Sequence, residues 1–236
     1  MRKRSIAVFD VDGTLINGSS ERIFIKYLLQ ENVISIKDLV NAGILGIKSM
    51  FNNNVLRGYS PYIYLTKANK FYLCNKKYDD IKTIVEKYVK KHVFSLLFSE
   101  AVNLINDFKR NNIEVILLSA GLEIIISEIA LALGIGRFYA TRLTVNPQNN
   151  TFTGTIDGCY YYGKEKVNFL EENFSREEYD YNNSYAYGNS SSDVLYLIRF
   201  GNRYIVNPKR YDFRLNFLIK KHKINVLYWR ETVLSK

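Results

Sequence analysis

Short apolar runs alternate along this chain with longer segments whose apolar residues have helical spacing. The short runs are rich in β-branched and aromatic residues and end at glycine, serine or aspartate, which is typical of buried strands. Strands that alternate with helices predict a parallel α/β sheet. The predicted strands are residues 5–10, 113–118, 184–187, 203–206 and 225–228, and the predicted helices between them are 101–109, 122–133, 166–172 and 194–200.

Two segments depart from this alternation. Residues 17–93 have helical spacing and no convincing strand, which predicts a helical insertion over the edge of the sheet, with helices at 21–29, 36–51, 61–72 and 78–91. Residues 139–145 and 151–156 alternate in polarity on either side of Asn149-Asn150, which predicts a β-hairpin. The predicted domains are therefore a core of residues 1–16 and 94–236 and a helical cap of residues 17–93.

Composition narrows the class of protein. The chain has 236 residues, of which 47% are hydrophobic and 24% charged, enough to bury a sizeable core. No apolar stretch reaches the roughly 18 residues of a membrane-spanning helix, and Cys74 and Cys159 form no redox or metal-binding pattern. We therefore predict a cytoplasmic protein without stable membrane insertion.

The net charge of +10 fits a phosphorylated substrate, an anionic membrane surface or nucleic acid. The lysines occur as scattered pairs and not as one basic arm, so we predict no nucleic-acid partner, whereas a small phosphorylated substrate and an anionic membrane surface both stay open at this point.

The first predicted strand ends in a pair of carboxylates, within Asp10-Val11-Asp12-Gly13-Thr14. Ligands of open α/β sheets bind at the carboxyl ends of the strands. Strand alternation sends the side chains of Asp10 and Asp12 the same way, so that one carboxylate can attack and bind a metal while the other transfers a proton. The alternative is a simple turn at Asp12-Gly13, with Asp10 as a helix cap.

Two further sites follow later elements. Ser119 ends the second predicted strand, and its hydroxyl together with the N–H groups of Ala120 and Gly121 could bind phosphate at the start of a helix. A serine at this position is also an ordinary helix cap. Lys166, or with less support Lys164, opens the helix after the hairpin and could neutralise phosphoryl oxygens.

The third predicted strand runs into the polar loop Gly188-Asn189-Ser190-Ser191-Ser192-Asp193. This loop could bring Asn189 and Asp193 to the same edge of the sheet as Asp10, because the carboxyl ends of parallel strands share one edge.

In this order the motifs resemble those of the haloacid dehalogenase superfamily, in particular its phosphoserine phosphatase-like subgroup. The resemblance extends over the whole chain and includes Phe152-Thr153-Gly154 and Gly163-Lys164-Glu165-Lys166. It implies a Rossmann-like parallel sheet with helices on both faces and a small all-helical cap. It also implies a magnesium-dependent phosphatase.

The resemblance implies a role for each motif residue. Asp10 becomes an aspartyl-phosphate, and Asp12 acts as general acid and base. The implied ligands of Mg²⁺ are the Asp10 carboxylate, the Asp12 carbonyl and the side chain of Asn189. The residues expected to bind phosphate are Ser119, Ala120, Gly121 and Lys166. Thr14 and Asp193 are expected to support the site.

One residue departs from the family pattern. The family usually has aspartate where this chain has Asn189. An amide oxygen can still coordinate magnesium, but the site loses one negative charge, so we expect weaker magnesium binding with activity preserved.

The substrate is less determined. Glu21 and Arg57 are the candidates to match the glutamate and cap arginine with which phosphoserine phosphatases hold their substrate, although both could be surface residues. Phosphoserine, amino-alcohol and sugar-linked phosphates therefore stay open. Residues 33–51 are apolar with few charges, which raises the alternative of a lipid-phosphate phosphatase at the membrane surface. A degenerate binding module is a third possibility, which the intact motifs oppose.

Overall fold

The computed structural model describes residues 3–51 and 70–230, apart from the side chains of Met50 and Phe51. Within these residues one sheet of seven strands has the order β4-β3-β2-β1-β5-β6-β7. The strands β1, β2, β3, β5, β6 and β7 are parallel, and β4 is antiparallel to β3. The strands are β1 (Ile6–Phe9), β2 (Glu114–Leu122), β3 (Arg137–Asn146), β4 (Thr151–Asp157), β5 (Tyr185–Gly188), β6 (Asn202–Val206) and β7 (Asn225–Leu227).

Helices lie between the strands and in the insertion after β1. They are α1 (Ser20–Gln30), α2 (Ile36–Phe51), α3 (Tyr78–Tyr88), α4 (Ser99–Arg110), α5 (Glu123–Ala132), α6 (Lys164–Asn173), α7 (Val194–Leu197) and α8 (Phe213–His222). Short 3-10 turns occur at Phe71–Leu73, Phe94–Leu96 and Tyr181–Asn183, and a π-helical turn at Val89–Val93 follows α3.

The sheet is covered on both faces because strand residues alternate between two apolar clusters. In β1, Ala7 and Phe9 belong to the cluster that also contains core residues of α1, α3, α4 and α5. Ile6 and Val8 belong to the opposite cluster, which contains residues of α6, α7 and α8. All four side chains are fully buried, so β1 is the central strand of a two-sided core. The predicted α/β fold with helices on both faces is confirmed.

Four predicted boundaries need correction, and one of them is the helix predicted over 194–200, which ends at Leu197. β2 does not end at residue 118 but continues to Leu122, because it pairs with β3 again at Thr141 after an irregularity. The next helix consequently begins at Glu123. The helix predicted over 78–91 ends at Tyr88 and passes into the π-helical turn.

The helix predicted over 61–72 lies mostly outside the described residues. In its described part, residues from Phe71 form a 3-10 turn against Gly154 of β4, where an added Cβ would lie 2.8 Å from the Phe71 Cα. The described part of residues 17–93 contains helices and one isolated bridge, Lys77 with Thr151, and the division into core and cap stays a prediction. Among the described residues, no helix combines the length and apolar character needed to cross a bilayer.

Substitution of Phe9 tests how much the packing of the central strand β1 contributes to stability. Its ring stacks on Tyr187 at 4.3 Å and meets Phe108 edge-on at 6.2 Å. We expect Phe9→Ala to lower the free energy of unfolding by about 3–5 kcal/mol, because it opens a cavity between helix and sheet. Urea denaturation measures the change. Phe213→Ala is the control, since that ring is 82% exposed and its loss is expected to cost at most about 0.5 kcal/mol.

Candidate active site

Asp10 lies directly after β1, at the edge of the sheet where the parallel strands end. Its backbone N–H donates to the Tyr187 carbonyl at 2.9 Å, which continues the pairing of β1 with β5. Ser119 lies in β2, two residues after Leu117, which forms the last β1–β2 pair with Phe9. Asn189 directly follows β5. The sheet order β2-β1-β5 therefore brings three of the predicted site residues to one edge.

Lys166 joins the two buried carboxylates of the site. Its Nζ lies 2.8 Å from Asp10 Oδ1 and 2.8 Å from Asp193 Oδ1. The three side chains are almost completely buried, and the ring of Tyr196 lies 5.1 Å from the ammonium group. Thr14 Oγ1 donates to the other oxygen of Asp10 at 3.2 Å. We call Lys166, Asp10 and Asp193 the buried ion triad. Lys164, the alternative lysine, is exposed on the same helix.

Burial and charge act in opposite directions within the triad. Burial raises the pKa of Asp10 to about 7, with Lys166 opposing the rise and the Asp193 carboxylate adding to it. Burial also acts to raise the pKa of Asp193, but Lys166 and hydrogen bonds from the loop hold that pKa below its ordinary value. The pKa of Lys166 is raised, because the two carboxylates outweigh the effect of burial.

Asp193 also shapes the loop after β5. Its Oδ2 accepts hydrogen bonds from the N–H groups of Asn189 at 3.3 Å and Ser190 at 3.1 Å, and from the Ser190 hydroxyl at 2.6 Å. The same carboxylate thus holds Lys166 with one oxygen and the loop with the other. A Cβ added to Gly188 would lie 2.6 Å from Asp193 Cβ, so the close approach requires glycine.

Asp12 has different partners from Asp10. Its Oδ2 accepts from Ser19 Oγ at 3.1 Å and its Oδ1 from the Ser20 N–H at 3.0 Å, at the N-terminus of α1. Tyr88 of α3 donates to the Ser20 carbonyl at 2.6 Å. The two aspartates are nevertheless close enough that the charge of Asp12 contributes to the raised pKa of Asp10. Burial likewise raises the pKa of Asp12.

Gly13 brings the first motif against the loop after β5. Its φ of +76° favours glycine, and a Cβ there would lie 1.9 Å from the Asn189 side-chain nitrogen. Asn189 therefore packs directly on the loop that carries Asp10 and Asp12.

Ser119 is buried at this edge, but its surroundings differ from the predicted helix start. Its Oγ accepts from the Gly121 N–H at 3.1 Å, while the Ala120 carbonyl accepts from Thr141 Oγ1 at 2.9 Å. Because α5 begins only at Glu123, the N–H groups of Ala120 and Gly121 belong to the irregular end of β2. They are not the first free donors of a helix.

The two tentative substrate residues have different outcomes. Arg57 lies outside the described residues. Glu21 is ion-paired with Lys70 and accepts a hydrogen bond from the Tyr72 hydroxyl at 2.8 Å. Lys70 is buried, and Glu21 is near enough to Asp12 to contribute to its raised pKa. The sequence contained no signal for Lys70, because the contact joins residues 49 positions apart.

The donor set fits a divalent cation. Asp10, Asp12 and Asp193 bring three carboxylates to the site, against the single ammonium of Lys166. A cation would offset the excess negative charge and would favour the ionised form of Asp10. Among the described residues no cluster of three or more His, Cys, Asp or Glu side chains could hold a metal, so a site here needs the Asn189 amide and backbone oxygen as further ligands.

A sequence model of the haloacid dehalogenase-like hydrolases matches residues 7–197, which include every motif described above. The chain belongs to this family. The predicted resemblance to the superfamily and the predicted hydrolase class are thereby confirmed.

Individual relatives agree with this assignment. A probable phosphatase of Mycobacterium tuberculosis is 28% identical over 221 residues, covering 89% of this hydrolase and 71% of the relative. A Bordetella pertussis protein of unknown function has the same fold, with a TM-score of 0.75, 18% identity and coverage of 96% and 99% of the two chains. A phosphoserine phosphatase carrying an analogue of its phospho-aspartyl intermediate has a TM-score of 0.61 at 18% identity, over 98% and 96%.

The buried ion triad of this hydrolase can be tested by stability. Lys166→Met would leave Asp10 and Asp193 buried without their cation, and we expect the free energy of unfolding to fall by about 3–5 kcal/mol at neutral pH. Thermal and urea denaturation measure the loss. The control, Lys164→Met, removes an exposed lysine from the same helix and should be nearly neutral. Equal stabilities of the two variants would contradict the triad.

Proposed function

We propose that this hydrolase is a magnesium-dependent phosphatase that cleaves a small phosphate monoester through an aspartyl-phosphate on Asp10. The observation that carries the proposal is the buried ion triad at the carboxyl edge of the sheet. A buried carboxylate beside a fixed ammonium group suits a nucleophile that attacks a phosphoryl group, and the buried Ser119 lies on the neighbouring strand β2.

In the first half-reaction an oxygen of Asp10 attacks phosphorus and the bond between phosphorus and the leaving oxygen breaks. Asp12 donates its proton to the leaving oxygen. Burial raises the pKa of Asp12, which favours the protonated form that a general acid needs. Lys166 and the Ser119 hydroxyl bind the phosphoryl oxygens and stabilise the charge that develops on them.

In the second half-reaction Asp12 takes a proton from water as the water oxygen attacks the same phosphorus. The bond between Asp10 and phosphorus breaks, which releases inorganic phosphate and restores the Asp10 carboxylate. The proposed magnesium ligands are Asp10, the Asp12 carbonyl and Asn189, and the bound ion would add positive charge against the phosphoryl oxygens. With Asn189 in place of a carboxylate, we expect the ion to bind more weakly.

The proposed substrate class follows from Glu21. In this chain the Glu21 carboxylate already has the Lys70 ammonium and the Tyr72 hydroxyl as partners. A substrate ammonium would have to compete with a buried internal cation for the same carboxylate. We therefore propose a leaving group without an ammonium, such as a sugar or polyol, over phosphoserine or an amino-alcohol phosphate. A cytoplasmic location stays part of this proposal.

A lipid-phosphate phosphatase remains the second candidate. α2 exposes apolar side chains at helical spacing, namely Ile36, Val40, Ile44 and Ile47. This stripe supports access to a lipid leaving group, whereas the small-monoester proposal requires no such surface.

The nucleophile is tested by phosphate release over a panel of phosphomonoesters in the presence of magnesium. We expect Asp10→Asn to lower kcat by roughly a thousandfold or more, because an amide cannot form the acyl-phosphate. Removal of magnesium by a chelator should abolish the wild-type rate reversibly. Asp107→Asn, a change of an exposed carboxylate on α4, is the matched control. Activity that survives in Asp10→Asn would overturn the assignment.

Substitution of Lys70 tests the proposed substrate class. We expect Lys70→Met to raise the ratio of kcat/KM for phosphoethanolamine to that for glycerol 3-phosphate by about tenfold, because the Glu21 carboxylate loses its internal cation and can pair with a substrate ammonium. Lys77→Met, an exposed neighbour, should leave the ratio unchanged.

Lys70→Arg and the double change Glu21→Gln with Lys70→Met keep this test interpretable if Lys70→Met is unstable. Both should keep the wild-type ratio, the first because the cation is retained and the second because the carboxylate is lost. A wild-type ratio in folded Lys70→Met would refute the proposed role of Lys70 without affecting Asp10.

A further inference from the structure

α8 and the loop before it carry large aromatic side chains into solvent. Tyr211 is 71% exposed, Phe213 82% and Phe217 63%. The ring of Tyr211 also lies 5.8 Å from the ammonium of Lys209. Phenylalanine has no polar group that would favour this exposure, and two such rings on one short helix form a patch that requires a physical reason.

The two phenylalanines lie on the outer side of α8. Leu215 is buried, and Leu218 and Ile219 pack against the cluster that contains β1 residues Ile6 and Val8. At 100° per residue, Phe213 and Phe217 lie on the side of the helix opposite these three residues. Lys220 follows Phe217 by three residues and therefore shares the outer side.

The charge around these rings is strongly positive. Residues 207–223 contain six lysines and arginines against the single acidic residue Asp212. The Asp212 side chain accepts a hydrogen bond from the Leu215 N–H at 2.9 Å, so it caps α8. The basic residues are Lys209, Arg210, Arg214, Lys220, Lys221 and Lys223, and all six are exposed. We call the three rings and these six side chains the aromatic–basic face.

The aromatic–basic face begins at the edge of the sheet that holds the candidate active site. β1, β5 and β6 are adjacent and parallel, so residues after β6 emerge at the same edge as Asp10. Lys209, Tyr211 and the start of α8 follow β6 directly. Only this start of the face therefore lies beside the catalytic edge, because α8 connects the parallel strands β6 and β7 and runs back toward the opposite edge.

We propose that the aromatic–basic face binds the surface of an anionic lipid membrane, with the phenylalanine rings in the interfacial layer and the basic side chains at the lipid phosphates. Exposed aromatic rings interleaved with lysine and arginine are the features of peripheral helices that lie in the membrane interface. The proposal concerns peripheral contact and not insertion. It does not depend on the chemistry proposed for Asp10.

Two other partners fit less well. In a symmetric dimer the face would meet a second copy of itself, and six basic residues from each copy would repel one another. Nucleic acid would satisfy the positive charge. However, Phe213 and Phe217 project from the convex side of a helix, without the groove in which aromatic rings stack on successive bases.

Flotation of the full chain with vesicles tests the proposal. We expect the wild type to float with mixed phosphatidylcholine–phosphatidylglycerol vesicles and not with phosphatidylcholine alone. Binding should weaken as salt is raised, because exposed charges are screened. The double variants Phe213→Ser/Phe217→Ser and Lys220→Glu/Lys221→Glu should each lower the apparent affinity by roughly tenfold or more.

Matched controls keep the test specific. Leu131→Ser removes an exposed apolar side chain from α5, and Lys90→Glu/Lys91→Glu makes the same charge change on another exposed lysine pair. Both should bind vesicles like the wild type. Circular dichroism and thermal denaturation establish that every variant is folded.

Three outcomes would overturn the proposal. The first is a wild type that does not float with anionic vesicles. The second is undiminished binding by Phe213→Ser/Phe217→Ser. The third is a wild type that instead forms a dimer in sedimentation, or binds an RNA oligonucleotide, and fails to float, which would assign the face to one of the other partners.

Discussion

The buried ammonium of Lys166, held between the carboxylates of Asp10 and Asp193, is the interaction on which the rest of the site depends. An uncompensated charge in this position would cost several kcal/mol, so the three groups have to meet with good geometry or the core cannot close around them. Asp10 follows β1, Lys166 lies in the first turn of α6, and Asp193 directly precedes α7. Satisfying one ion triad therefore fixes the relative positions of one strand end and two helix starts.

Asp193 extends this constraint to the proposed metal site. Its second oxygen holds the backbone of the loop that presents Asn189, while Gly13 allows Asn189 to pack on the loop after β1. A change in the triad would consequently move a proposed metal ligand as well as the nucleophile. The loop of Asp193 and the loop of Asp10 are in direct contact, because the Asn189 side chain packs against Gly13.

The insertion after β1 reaches the chemistry through Asp12. The N-terminus of α1 holds the Asp12 carboxylate, and Tyr88 of α3 holds the carbonyl of Ser20 in turn. Glu21, one residue further, ends in the ion pair with Lys70. The first turn of α1 thus contacts Asp12, the proposed general acid, and also carries Glu21, on which the proposed substrate class depends. The insertion is therefore physically connected to both parts of the proposed reaction. The aromatic–basic face begins at the same sheet edge and is a separate surface, which we propose contacts an anionic membrane.

The amino-acid sequence by itself determined the α/β class, the buried first strand, the hairpin and the positions of Asp10 and Asn189 directly after strands. These features depend on local periodicity and on turn residues, which a single sequence displays directly. Only the tertiary structure decided that Lys166 and not Lys164 enters the core, that β2 continues past Ser119, and that Lys70 forms an ion pair with Glu21. Asp10 and Lys166 are 156 residues apart, and Lys70 and Glu21 are 49 apart. Such pairings depend on which side chains the packed elements bring together, and that is set by the whole core at once and by no local pattern.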